Sequence, residues 1–315
     1  MTTLITGANG FVGSALCTRL CREGLAVRAA MRCAQRLPGG IEAVSTGALS
    51  GDTDWSAALK GVEHIVHLAA RVHVMKDASA DPLAAFRQVN VEGTAHLARQ
   101  AAAAGVKRFV YLSSIKVNGE STPLDQPFTA TDTPAPEDPY GQSKYEAEQA
   151  LRHIAAASNM ELVIIRPPLV YGPGVKANFA SMLRWLSRGM ALPLAAITDN
   201  RRSLVALDNL IDLISTCLRH RAAAGQVFLV SDGEDVSTAE LLRKAGRALG
   251  RPARLFYVPP SVLHGASVLL GKRSVYQRLC GSLRIDIGHT QQLLNWHPPL
   301  SVDEGLRRAA QGWSA

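Results

Sequence analysis

The chain has 315 residues, of which 47% are hydrophobic and 19% charged, with 26 Gly and 16 Pro. That composition excludes disorder, collagen and coiled coil, and the length predicts one large domain with a smaller lobe. Thirty-four Lys and Arg against 26 Asp and Glu give a formal charge of +8, which suits an anionic partner without choosing among nucleic acid, a membrane surface and a phosphate-bearing small molecule.

In chain order, short apolar runs alternate with amphipathic stretches, the signature of βαβ units on a parallel sheet. Strands are expected at Leu4 to Thr6, Val27 to Met31, His64 to Leu68, Phe109 to Ser113 and Leu162 to Arg166. Helices are expected over Gly13 to Arg22, stopped by Gly24, and over Val91 to Ala104, stopped by Gly105. After Arg166 a scatter of prolines breaks the rhythm and a second lobe begins. The reading is an α/β, doubly wound parallel sheet of Rossmann type over residues 1–166, with 203–231 returning to it. Residues 167–202 and 232–315 make a discontinuous, smaller substrate lobe.

Five scattered cysteines without a CxxC pair read as reduced thiols. Neither a leader peptide nor an apolar run near the roughly 20 residues of a bilayer span is evident, so a soluble, cytoplasmic protein is expected. His64 and His67 fall on a buried strand, HExxH is absent and no metal is expected. The arginines read as dispersed and no nucleic-acid motif accompanies them, so neither a nucleic-acid nor a membrane partner is expected.

The run Thr6-Gly7-Ala8-Asn9-Gly10-Phe11-Val12-Gly13 sets three glycines at GxxGxxG spacing between the first strand and its helix. Such a turn brings backbone N–H groups and a helix N-terminus against a pyrophosphate. At the end of the second strand, where an acidic residue would bind the ribose hydroxyls of NAD, stand Arg32 and Arg36 and no acid. Guanidinium groups there hold a 2′-phosphate and favour NADP(H), with NAD possible; the alternative is that both arginines are solvated loop charges.

Tyr140 and Lys144 lie four apart on one helix face, a spacing that lets an ammonium lower the pKa of a phenol and free a tyrosinate base. Ser114 directly follows the strand Phe109 to Ser113 and should face the same crevice at the carboxyl edge of the sheet. With TGANGFVG from Thr6, HLAA from His67, VNVEGT around Asn90, SSIKVNG from Ser113, YGQSK from Tyr140 and RPPLVYGPG from Arg166, the chain resembles, over essentially its whole length, the extended short-chain dehydrogenase/reductase family of nucleotide-sugar epimerases, dehydratases and reductases.

The resemblance implies that Tyr140 is the catalytic acid/base, that Ser114 polarises the sugar oxygen and that Lys144 bonds the nicotinamide ribose. It implies cofactor contacts from the glycine turn (Gly7, Asn9, Gly10, Phe11, Val12, Gly13), from Leu68, Ala69 and Ala70, and from Asn90 and Pro167. Ser114, Lys116, Asn178 and Arg202 would face a UDP-sugar, with Arg278 completing a diphosphate clamp. Relatives that pair as dimers do so through helices such as Val91 to Ala104 and the Tyr140 helix, so a homodimer is expected.

Departures from the family pattern narrow the function. Family 4,6-dehydratases carry an Asp-Glu pair after the catalytic hydroxyl, where this chain has Ile115 and Lys116, and isoleucine cannot transfer a proton. Asn118 replaces a tyrosine common in the epimerases. SSIKVNGE resembles the enzymes that reduce UDP-4-keto-6-deoxy-N-acetylglucosamine to UDP-N-acetylquinovosamine for O-antigen polysaccharide. The alternatives are a UDP-glucose or UDP-N-acetylglucosamine 4-epimerase with tightly held NAD and, more distantly, a non-catalytic dinucleotide sensor.

Overall fold

The computed structural model describes residues 2–33, 37, 41–72 and 81–313. Arg36 lies outside them. Among the described residues, seven parallel strands form one sheet in the order β3-β2-β1-β4-β5-β6-β9: β1 (Thr2–Thr6), β2 (Ala26–Met31), β3 (Glu42–Ser45), β4 (Val62–His67), β5 (Arg108–Leu112), β6 (Glu161–Arg166) and β9 (Val227–Leu229). The alternation of side chains along each strand divides the core into two. Ile5, Val110, Val163 and Ile165 point to one face, under α1 (Phe11–Arg22) and α7 (Leu207–Arg219). Leu4, Phe109, Tyr111, Leu162 and Ile164 point to the other, under α2 (Ser56–Leu59), α4 (Thr94–Ala103) and α5 (Pro139–Ala156). A sheet buried on both faces in this way reads as near-continuous apolar runs, the pattern seen in the sequence.

The second lobe centres on a three-stranded sheet of β7 (Leu169–Tyr171), β8 (Arg202–Ala206) and β10 (Asp235–Val236). Around it lie α6 (Ala177–Ser187), α8 (Thr238–Ala248) and α12 (Val302–Gln311), packed on Phe179, Leu183, Leu242 and Leu306. α8 opens with a reciprocal capping box between Ser237 and Glu240. A helical hairpin of α9 (Pro260–Leu269) and α10 (Arg273–Cys280) and the short α11 (Gly288–Leu294) complete the chain.

One boundary differs from expectation. Residues 203–206 belong to β8 of the smaller sheet, whereas α7 and β9 join the larger one. β8 sits at the junction: Val205 packs into the first core and Leu204 and Ala206 into that of the second lobe. An apolar strand pattern specifies burial on both faces but not which sheet supplies the hydrogen bonds. The helix expected from Val91 is also different, since α3 (Pro82–Arg87) runs into a π-helical segment, Gln88–Gly93, before α4 begins at Thr94.

Candidate active site

The strand order reverses between β1 and β4, and the crevice outside the carboxyl ends of those strands is where open α/β sheets bind ligands. β1 delivers the glycine turn there. Gly7 adopts φ +66°, and a Cβ on it would lie 2.9 Å from the amide nitrogen of Ala69; a Cβ on Gly13 would lie 2.2 Å from the Gly7 carbonyl oxygen. These glycines let three backbone segments meet. Gly10 precedes α1 as its N-terminal cap and offers no side chain to it, so the amides of the first turn have no side-chain acceptor, while Phe11 and Val12 turn their side chains into the core. Asn9 is exposed beside them. Uncapped amides and a cradle that a Cβ would fill fit the pyrophosphate of a dinucleotide.

Leu68, Ala69 and Ala70 follow β4 at the same edge, half-buried. The amides of Leu68 and Ala69 both donate to Thr6 Oγ1 at 3.2 Å. Thr6 Oγ1 also meets His67 Nδ1 at 2.7 Å, and His67 Nε2 meets Thr94 Oγ1 at 2.9 Å, a buried chain that locks β1 to β4. Burial, aided by the positive Lys144, drives His67 down to about 3, so it is neutral.

Asn90, within the π-helical segment, has a different place from the one expected. Its Oδ1 accepts from the Arg71 amide at 2.8 Å, and its Nδ2 donates to the Arg71 carbonyl and to Ser143 Oγ, both at 3.0 Å. All its amide atoms are used within the protein, so Asn90 positions the segment after β4 against α5. At the end of β2, Arg32 is exposed, directly after Met31.

Ser114, half-buried, caps a 3₁₀ turn at Ile115–Val117, accepting from the Lys116 amide at 3.3 Å. α5 carries Tyr140 and Lys144. Its start is well encoded: Asp138 caps the Gly141 amide at 2.6 Å and Pro139 occupies the first helical position. Gly141 decides how near α5 comes to the Ser114 turn, because a Cβ there would stand 2.8 Å from the Lys116 carbonyl oxygen. This fourth glycine of the site has no signature in the sequence, whereas the capping role of Asp138 had one in the Asp-Pro pair.

The electrostatics reverse one expectation. Lys144 is buried and donates at 2.7 Å to the Leu112 carbonyl, with its ammonium 4.3 Å from the centre of the Tyr111 ring. Burial pulls it down to about 7 against a smaller opposing effect of Glu148. Tyr140 is not lowered by Lys144; burial and the negative charge of Asp138 push it up to about 12. The reason is orientation: the spacing of four places the two residues on one helix face, but the ammonium is turned toward β5. At neutral pH the Tyr140 phenol is therefore protonated.

Behind the site, Glu148 and Arg166 form a buried bidentate pair at 2.9 and 2.6 Å. Ser113 Oγ donates to Glu148 at 2.6 Å, and Arg166 Nη1 donates to Asn118 Oδ1 at 2.9 Å. Asn118 is thus part of the support. The Pro167 carbonyl accepts the Ile115 amide at 3.0 Å and ties β6 to the same turn. Lys116, expected at the substrate, is engaged by Asp138 and by Glu120.

In the second lobe, Asn178 is exposed near the start of α6. The residue before it, Ala177, adopts φ +55°, a left-handed conformation rare for a residue with a Cβ and common where a site fixes the backbone. Arg202 donates to the Gly281 carbonyl at 3.1 Å, and burial together with the charge of Arg278 lowers its pKa. Among the described residues neither arginine has a carboxylate partner, and the charge of Arg278 is felt at the buried Arg202. No group of three or more His, Cys, Asp or Glu among the described residues is placed to hold a metal.

The NAD dependent epimerase/dehydratase family model matches residues 3–231. The UDP-glucose 4-epimerase of Vibrio cholerae is 49% identical over 311 residues, covering 98% of this chain and 94% of its own. Among solved structures, the UDP-glucuronic acid 4-epimerase of Bacillus cereus in complex with NAD has a TM-score of 0.79 at 20% identity, covering 99% of this chain and 96% of its own; that likeness is one of fold. MoeE5 in complex with UDP-glucose and NAD has a TM-score of 0.77 at 25% identity, covering 99% and 98%. With the glycine cradle, Ser114, Tyr140 and Lys144 at one edge of a doubly wound sheet, this chain is an enzyme that belongs to the NAD-dependent epimerase/dehydratase family of extended short-chain dehydrogenases/reductases.

Proposed function

We propose that the enzyme uses a nicotinamide dinucleotide, preferentially NADP(H), to reduce C4 of UDP-4-keto-6-deoxy-N-acetylglucosamine, giving UDP-N-acetylquinovosamine for surface polysaccharide. The observation that carries this reading is the Tyr140 phenol, held protonated by burial and by Asp138, on the helix that Gly141 brings against the Ser114 turn. A protonated phenol is what ketone reduction requires, because the alkoxide forming at O4 must receive a proton. Ser114 would hydrogen-bond that oxygen, Arg202 and Arg278 would balance the UDP diphosphate, and Asn178 would sit beside it. The bound nicotinamide would supply the hydride. The Gly7 to Gly13 turn, the backbone of Leu68 to Ala70 and Lys144 would hold it, and the exposed Arg32 would meet a 2′-phosphate.

Elimination of water across C5 and C6 has no acid–base pair here. Ile115 is buried against Leu229 and Leu283, and Lys116 is paired with Asp138 and Glu120. A second reading, UDP-glucose 4-epimerase, is favoured by the name of the Vibrio cholerae relative. It shares the C4 hydride transfer and differs in retaining its dinucleotide. The presence of Ser114, Tyr140 and Lys144 together speaks against a sensor without chemistry. A homodimer through α4 and α5 accompanies this reading.

The test is to give the purified enzyme the 4-keto sugar with NADPH, and UDP-glucose with no added cofactor. Loss of NADPH absorbance with a UDP-sugar product heavier by two hydrogens supports reduction; UDP-galactose from UDP-glucose alone supports epimerisation.

A further inference from the structure

The surplus charge of the chain is not dispersed. Residues 241–285 contain nine Lys and Arg and no Asp or Glu, so the remaining 270 residues carry 25 basic against 26 acidic side chains. Some of the nine are spoken for: Lys244 pairs with Glu234 and Asp303, Arg247 approaches Asp303 and Arg284 pairs with Asp235. Arg254, Lys272 and Arg273 are exposed and have no carboxylate partner among the described residues. The same stretch holds a concentration of exposed apolar side chains: Tyr257 at 71%, Val262 at 56%, Leu269 at 88% and Leu270 at 69%. Neither α9 nor α10 has a single buried residue, although the two helices form a hairpin. Backbone hydrogen bonds between Leu192 and the Arg254 to Phe256 run extend the patch to the exposed Met190 and Arg188 after α6.

An apolar tip with a cationic rim and no acidic residue is the chemistry of a lipid interface, where the aliphatic side chains enter the headgroup region and the cations meet anionic lipid. We infer that the α9–α10 hairpin docks the enzyme on an anionic phospholipid surface, with Leu269 and Leu270 inserting and Arg254, Lys272 and Arg273 held at the phosphates. Among the described residues no helix is long and apolar enough to cross a membrane, so the association is peripheral. Two copies of this face would bring like charges together, which disfavours self-association through it. Single-stranded nucleic acid would use the cations but leave Val262, Leu269 and Leu270 in water. The hairpin also carries Arg278, next to Arg202, so the docked face adjoins the lobe proposed to take the sugar diphosphate.

The experiment is sedimentation of the full chain with vesicles of phosphatidylcholine mixed with phosphatidylglycerol, and with phosphatidylcholine alone. Binding to the anionic vesicles only, weakening as salt is raised, is expected. Lys272→Glu/Arg273→Glu should weaken it at least about tenfold, since each basic residue near an anionic surface contributes on the order of a fivefold change in affinity. Leu269→Ser/Leu270→Ser should also weaken it. All four side chains are in solvent, and both variants should keep the circular dichroism of the parent. Equal sedimentation with both vesicle types, or with neither, would overturn the inference. So would full vesicle binding by the leucine variant, a dimer in light scattering that either variant dissociates, or binding of a single-stranded oligonucleotide without vesicle binding.

Discussion

Arg166 and Glu148 face each other across the back of the active site with two parallel hydrogen bonds, at 2.9 and 2.6 Å, and both side chains are withdrawn from water. The pair joins β6 to α5, and through Ser113 and Asn118 it fixes the strand end and turn that carry Ser114. Because the ions are desolvated, removing one charge strands the other. Glu148→Gln should lower unfolding stability by about 3–5 kcal/mol, the usual cost of breaking a buried pair. Urea denaturation checks this, and a loss under about 1 kcal/mol would mean that the pair is solvated.

A Cβ on Gly141 would stand 2.8 Å from the Lys116 carbonyl oxygen, so Gly141→Ala forces apart two elements that carry Tyr140 and Ser114. Turnover should fall by roughly a hundredfold, as expected for a displacement near 1 Å at a reacting centre, with the dinucleotide affinity little changed. Steady-state kinetics beside a cofactor titration separates the two effects. Unchanged turnover would place the critical contact elsewhere.

Burial gives Lys144 and His67 folded-state values below their ordinary ones, about 7 against 10.5 and about 3 against 6.5. A lowered folded value means that the unfolded chain binds more protons in the window between the two, so stability there rises with pH. Lys144 should therefore add stability as the pH rises from about 7 to 10.5, and His67 should withdraw it as the pH falls from about 6.5 to 3. Denaturation of Lys144→Met across the upper window should lack the wild-type slope; a matching slope would contradict the burial of the ammonium.

Arg32, exposed at the end of β2 without a carboxylate partner among the described residues, is the candidate for a 2′-phosphate. Arg32→Asp should weaken NADPH by about tenfold, the scale of one lost charge-assisted hydrogen bond, and leave NADH within about twofold. Isothermal titration with both cofactors decides it, and equal losses would remove Arg32 from the discriminating position.

How far the sequence could be read follows from the range of each interaction. The first strand, its glycine turn and the Tyr140–Lys144 spacing are local patterns, and the structure has them within a few residues of where they were expected. Glu148–Arg166 spans two elements 18 residues apart and has no local signature. The assignment of Ser203 to the smaller sheet depends on which strand edge was free. The orientation of Lys144 toward Leu112 depends on where β5 ends, and so did the acidity of Tyr140. The concentration of charge in 241–285 is countable in the sequence, but it forms a surface because α9 and α10 hold no fully buried residue.

In the proposed reaction C4 receives hydride from the nicotinamide while Tyr140 supplies the proton to O4. The most direct measurement is a turnover of the 4-keto UDP-sugar with NADPH deuterated at nicotinamide C4 on the transferred face, followed by mass and NMR analysis of the product. One deuterium at sugar C4 is expected for each NADP formed, with a rate at least about a hundredfold lower in Tyr140→Phe. A product without deuterium, formed with no net consumption of NADPH, or a Tyr140→Phe rate near that of the wild type, would contradict it.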